Sequence, residues 1–130
     1  HSKDDVLQRA KFSICYENLR GGRGYVTEKL FDCLVNGCVP VYAGASDIAE
    51  HVPRECWIDG GAFADVPALV RHLRGIGESE YAARQDAIRR FLASDAALRY
   101  DQDHWCRTLV DGILHDLGLR AARPATATLD

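Results

Sequence analysis

The sequence predicts an α/β domain built on a parallel sheet, and three features between Lys11 and Gly44 carry that reading. An apolar run, Phe12 to Tyr16, leads into a polar, glycine-rich loop. An amphipathic run, Thr27 to Asn36, follows it and is closed by Gly37. A second apolar run, Cys38 to Tyr42, completes the unit. Strand, crossover helix and strand of this length favour a right-handed connection between parallel strands, and both strands read as buried on two faces.

Each element has a local reason. Residues 1–10 are polar and mixed, with an amphipathic hint at Val6 and Leu7, and read as the end of a helix begun earlier. Thr27 can accept a bond from the free amides of the first helical turn, and Gly37 suits a left-handed cap at the other end. Leu30, Phe31, Leu34 and Val35 fall on one face at spacings of three and four. After Tyr42, the turn Ala43 to Ser46 leads to a short helix from about Asp47 to His51, capped by Ser46 or Asp47 and ended by Pro53. Cys56 to Ile58 reads as a third strand, closed by Asp59, Gly60 and Gly61.

Asp65 caps a helix from Val66 to about Arg74, with Pro67 tolerated in its first turn and Leu69, Val70 and Leu73 on its apolar side. Gly75 and Gly77 break it. Ser79 opens a longer helix to about Ala93, with Tyr81, Ala87, Ile88, Phe91 and Leu92 inward and Arg84, Arg89 and Arg90 on a solvated outer face. A last helix, starting at Asp95 or Asp103, runs to Leu117, carries Trp105, Leu109, Ile113 and Leu114, and ends at Gly118. Residues 120–130 are too poor in apolar side chains to order themselves and read as a tail beyond a domain over 1–119.

Composition narrows the partners. With 16 Lys and Arg against 19 Asp and Glu, the 130-residue chain is slightly acidic and shows no basic face, which argues against nucleic acid and anionic membrane. No apolar run approaches the roughly 20 residues of a membrane span, and no signal peptide opens the chain. The chain lacks methionine and begins at His1, so it is expected to be a piece of a longer protein. Its 5 cysteines show no CxxC spacing, and four sit in apolar runs as small buried hydrophobes. That pattern suits a reduced setting, cytoplasmic or membrane-peripheral, and abundant arginine and alanine suggest a GC-rich bacterial genome.

In open parallel sheets ligands sit outside the carboxyl ends of the strands, so chemistry is expected on the loop from Glu17 to Val26. Lys29 stands in the first turn of the helix, where the macrodipole disfavours a cation by roughly 0.3–1 kcal/mol. Either it points to solvent, or it awaits a phosphate that reverses the sign. Glu28 is an ordinary first-turn carboxylate or a clamp for two sugar hydroxyls. Tyr25 packs at the chain's entry to the helix or donates to a phosphate, and Asn18 forms a turn or bonds a ligand. Asp59 ends a strand on the ligand edge, with a simple turn role as the alternative. His104 and Cys106, with Asp101 or Asp103, lack a pair to complete a metal site, and His51, His72 and His115 read as surface imidazoles. The GGRGYVTEK stretch matches neither a nicotinamide-binding fingerprint nor a P-loop.

The string KFSICYEN, followed by YVTEKLFDCLVNGCVPVYAGASDI and VPRECWID, resembles the donor-binding half of the α1,3-fucosyltransferases, glycosyltransferase family 10. The likeness runs from about Lys11 to Phe63 and more loosely through EYAARQDAIRRFL. It implies the C-terminal half of a two-domain glycosyltransferase B fold: a three-layer, Rossmann-like domain that binds GDP-fucose without a metal. Carried over by position, Lys29 neutralises the diphosphate, Tyr25 donates to a phosphate, Glu28 holds the ribose and Asn18 lies at the nucleotide. Glu17 touches the ligand or orders the loop, and Arg23 adds a phosphate contact or is solvated. The parent reaction inverts the anomeric carbon as a glycan hydroxyl attacks. Its general base is expected on an N-terminal acceptor domain outside this chain, so no catalytic residue is assigned here and the piece alone is expected to be weak or inactive. The competing reading is a non-catalytic nucleotide-binding or structural module. Gly21, Gly22, Arg23 and Gly24 lengthen the loop relative to the family pattern. Gly60, Gly61 and Ala43 replace bulkier residues.

Overall fold

The computed structural model describes residues 2–118, and the expected tail over 120–130 lies outside the described residues. The chain divides into two compact units, residues 1–96 and 97–130. Three parallel strands form the sheet of the first unit, in the order β1 (Phe12–Tyr16), β2 (Val39–Ala43), β3 (Ile58–Asp59). β1 and β2 pair from Phe12 with Val39 to Tyr16 with Ala43, so both strands end at one edge.

β2 is the centre of the core. Val39, Pro40, Val41 and Tyr42 are all buried, and because successive side chains point to opposite faces, both faces are covered. β1 departs from expectation: it is an edge strand, and only Cys15 within it is buried while Ile14 is 61% exposed. A run of apolar residues does not distinguish a central strand from an edge.

Helix α1 (Lys3–Leu7) lies within residues 1–10, where helix was expected. It starts at Ser2, which accepts from the Asp5 amide while the Asp5 carboxylate accepts from Ser2, a reciprocal cap. Helix α2 (Glu28–Val35) is capped by Thr27 as expected, and Gly37 takes the left-handed conformation, φ 72°. Its buried face is Leu30, Cys33 and Leu34, whereas Val35 is 64% exposed. The cysteine supplies the third core position because it meets Cys15 of β1, sulfur to sulfur at 3.1 Å. All five cysteines are free, four of them buried.

Helix α3 (Ile48–His51) precedes a single 3₁₀ turn at Arg54–Cys56, so Cys56 belongs to the turn rather than to the third strand. Tyr42 and Trp57 meet edge to face, with ring centroids 6.1 Å apart. Helix α4 (Val66–Gly75) begins at Asp65, whose carboxylate accepts from the Ala68 amide. Helix α5 (Glu78–Leu92) starts after Gly77 rather than at Ser79 and buries Ala87, Ile88 and Phe91. Its arginines do not form a uniform solvated face. Arg84 donates to the carbonyls of Glu55 and Trp57 and pairs with Glu80, bridging the helix to the turn before β3. In the second unit, α6 (Asp95–Leu98) ends just inside it and α7 (Gln102–Asp116) follows, capped by Asp101, so the last helix is two pieces.

Candidate functional site

At the carboxyl end of β1 the chain passes into Glu17, a carboxylate whose side chain is 0% exposed. A buried carboxylate without partners is costly, and this one has several. It accepts from the Thr27 amide at 2.8 Å and from the Thr27 hydroxyl at 2.8 Å, and the Lys29 ammonium lies 3.6 Å away. Gly44 is what lets it fit: a Cβ there would stand 2.4 Å from Glu17 Cγ and 2.5 Å from the Tyr42 hydroxyl oxygen. Glu17 therefore ties the end of β1 to the start of α2.

Lys29 does not point to solvent. Its Nζ donates to the Tyr16 carbonyl and to Asn18 Oδ1, both at 3.2 Å, and its side chain is 32% exposed. The cation that the helix dipole disfavours is thus folded back over the strand end and offset by Glu17. Glu17, Asn18 and Lys29 come together in one cluster. Glu28 and Tyr25 stand beside it and remain exposed. Glu28 makes no side-chain hydrogen bond among the described residues, while the Tyr25 carbonyl accepts from the Tyr42 hydroxyl at 3.4 Å. Arg23 is elsewhere: its guanidinium lies 3.2 Å from Glu50 and 3.7 Å from Asp47.

Asp47 is the residue that sequence reasoning missed. Read as a cap for α3, it makes no side-chain cap bond. Its two oxygens instead accept from the Gly24 amide at 2.9 and 3.1 Å, and His51 Nε2 lies 3.4 Å away. The Gly24 amide is the main reason that its carboxyl is held below the ordinary range, with His51 and Arg23 adding to the effect. His51 is thereby a partner of a buried acid and not a plain surface imidazole. Residue type gave one signal, an acid before a helix, but its real donor lies 23 residues upstream.

The departure at Gly60 has a steric cause. Tyr16 pairs in register with Ala43, and its hydroxyl lies 3.4 Å from the Gly60 carbonyl oxygen. A Cβ on Gly60 would stand 2.5 Å from the Tyr16 ring, so the glycine makes room for it. Arg20 stacks on that ring at 5.3 Å. Asp59 takes the turn role, accepting from the Gly61 amide at 2.9 Å. No group of three His, Cys, Asp or Glu able to hold a metal occurs among the described residues. A surface groove lined by Arg54, Glu80, Arg84 and Arg90 shares no residue with the cluster.

A parallel sheet with a lysine turned onto the end of its edge strand defines a Rossmann-like α/β domain whose candidate ligand site is the loop at the carboxyl edge. The chain belongs to glycosyltransferase family 10, the fucosyltransferases: the C-terminal model of that family matches residues 1–108. It is 39% identical over 77 residues to an α-(1,4)-fucosyltransferase of Arabidopsis thaliana, covering 59% of this chain and 19% of that protein. To the α-(1,3)-fucosyltransferase FucT of Helicobacter pylori it is 27% identical over 73 residues, covering 56% and 15%. Among solved structures, an α1,3-fucosyltransferase with GDP-fucose shares the fold at TM-score 0.57 and 24% identity, over 65% of this chain and 25% of that one. A further α1,3-fucosyltransferase structure gives 0.53 and 26%, over 66% and 24%. The aligned region thus spans less than a fifth of the length of these two curated relatives.

Proposed function

We propose that this segment is the donor-binding part of an inverting α1,3/4-fucosyltransferase, recognising GDP-fucose and transferring fucose to a glycan hydroxyl as part of a longer chain. The observation that carries the reading is Lys29 Nζ, held over the end of β1 by neutral oxygens of Tyr16 and Asn18. Its two hydrogen-bond acceptors are neutral and the Glu17 carboxylate stands at ion-pair distance, 3.6 Å, so a diphosphate oxygen would offer the ammonium a charge-assisted hydrogen bond that it does not now make. Lys29 and the free amides of α2 would stabilise the charge that grows on the leaving diphosphate, with Tyr25 as a phosphate donor and Asn18 at the nucleotide. Exposed Glu28 would take the ribose hydroxyls. Glu17 acts by holding Thr27 and Lys29 in place.

In this scheme a protein cation stands where other transferases use a metal, and no metal is invoked. The general base and the glycan acceptor are assigned to the part of the protein preceding this segment. We also take the protein to be bacterial, on its arginine- and alanine-rich composition, and cytoplasmic or membrane-peripheral, on its unpaired cysteines; its relatives span a plant, a bacterium and an insect. No helix among the described residues is long and apolar enough to cross a membrane.

Calorimetry on the full-length protein tests the proposal with GDP, GDP-fucose and ADP, with and without EDTA. Both guanine nucleotides should bind, ADP should not, and EDTA should change nothing. Lys29→Ala should weaken GDP binding by on the order of 30-fold or more, the worth of a charge-assisted contact, and Glu28→Ala by about tenfold. Equal affinity for ADP, or a Lys29→Ala protein that binds GDP as tightly as the parent, would sink the assignment.

A further inference from the structure

Between Asn18 and Tyr25 the chain carries Gly21, Gly22, Arg23 and Gly24, with Gly21 at φ 77° and Gly24 at φ 70°. Such a stretch has much conformational freedom to lose, and left to itself it would present Asn18 and Tyr25 in many arrangements. It is not left to itself. The Gly21 amide donates to the Gly44 carbonyl at 2.9 Å, the Gly24 amide to both oxygens of Asp47, and the Thr27 amide to Glu17. Two of these three anchors are buried carboxylates, each taking a backbone amide of the same loop from the inside.

Asp47 belongs to the start of α3, on the far side of β2 in sequence, and its side chain is 6% exposed. Arg23 lies over it from outside, reaching Asp47 at 3.7 Å and Glu50 at 3.2 Å. The cation at the loop's tip is thus already matched with two carboxylates. Gly24 combines a positive φ with an amide that donates to Asp47, and Tyr25 is the next residue.

We infer that Asp47, braced by Arg23 and Glu50, is a positioning latch that fixes the Gly21–Gly24 loop to α3 and so sets Tyr25 and Asn18 for the nucleotide; Arg23 serves this latch and does not touch phosphate. The inference rests on the donor-site reading above. It explains why the longer glycine loop is compatible with a defined site.

The test uses the full-length protein with Asp47→Ala, Asp47→Asn, Arg23→Ala, Glu50→Ala and the swap Arg23→Glu with Glu50→Arg. Hydrogen exchange of residues 19–26 is read without nucleotide, and GDP affinity and the donor KM and kcat with it. Asp47→Ala should speed exchange across the loop by about tenfold and raise the donor KM by a similar factor with kcat little changed, one lost charge-assisted bond. Asp47→Asn keeps an acceptor oxygen and should recover most of both effects. Arg23→Ala and Glu50→Ala are exposed changes that leave folding intact and should each weaken GDP binding about twofold, with the swap restoring it. The latch is overturned if Asp47→Ala leaves loop exchange unchanged. It is equally overturned if Arg23→Ala costs far more affinity than Glu50→Ala and the swap rescues nothing, the result of a phosphate ligand. A parent protein that binds no GDP refutes the donor reading instead, and the exchange measurements still decide whether the latch holds the loop.

Discussion

At the scale of single residues, the site turns on close approaches that only small residues permit. Gly44 admits Glu17, and Gly60 admits the ring of Tyr16. We expect Gly60→Ala to destabilise by about 1–3 kcal/mol, the usual effect of forcing atoms into a filled space, since its Cβ would meet the ring at 2.5 Å. In a Tyr16→Leu background the same change should cost much less. Urea unfolding of the four proteins gives the coupling, and a cost that is the same in both backgrounds would show that the ring is not what the glycine accommodates. The conflict of a cation with the helix dipole singled Lys29 out in the sequence, but left open whether it points to solvent, and the structure folds it back onto Tyr16 and Asn18. Asp47 was not, since its partner Gly24 is remote in sequence and an acid before α3 already had a sufficient local explanation.

At the scale of elements, the strand, loop, helix and strand from Phe12 to Ala43 could be read directly, because caps and periodicity are local properties. The errors arose where burial depends on neighbours. Val35 falls outside the buried face of α2 because Cys33 takes the contact with Cys15, and Arg84 turns inward because the carbonyls before β3 lie within its reach.

The junction of loop and α3 also has a pH signature. The Asp47 carboxyl sits below its ordinary value of 3.8, chiefly because it accepts from Gly24, so its contribution is complete above that value and lost as pH falls through the folded one. Arg23, Glu50 and His51 face it, and a protonated His51 strengthens the ion pair rather than weakening it. The parent should therefore exceed Asp47→Asn in stability at pH 7 and pH 5, and the gap should close only below about pH 4. A gap that is constant from pH 7 to pH 3 would mean that the charge on Asp47 contributes nothing.

At the scale of the whole molecule, the parallel order of the sheet followed from short apolar runs joined by a helix, whereas the exposure of β1 did not, because an edge position is a property of the assembled sheet. Thiol chemistry offers a global check on the core. Cys15, Cys33, Cys38 and Cys56 are buried, burial pushes the Cys56 thiol up to about 11, and Cys106 is exposed. Brief treatment of the native protein with iodoacetamide should label Cys106 alone in this segment, as peptide mass mapping would show; early labelling of Cys15 or Cys33 would mean that the sheet opens far more readily than its packing implies.

The exposed face of β1 matters for anyone handling the segment by itself. Its outer rim is an unpaired strand edge alongside a bare isoleucine, with no proline in the strand and with Lys29 covering the Tyr16 carbonyl at its end. Two copies could zip together along that rim and lay down fibres, so produced in isolation the piece should cloud with concentration, and a lysine placed at Ile14 should keep the solution clear.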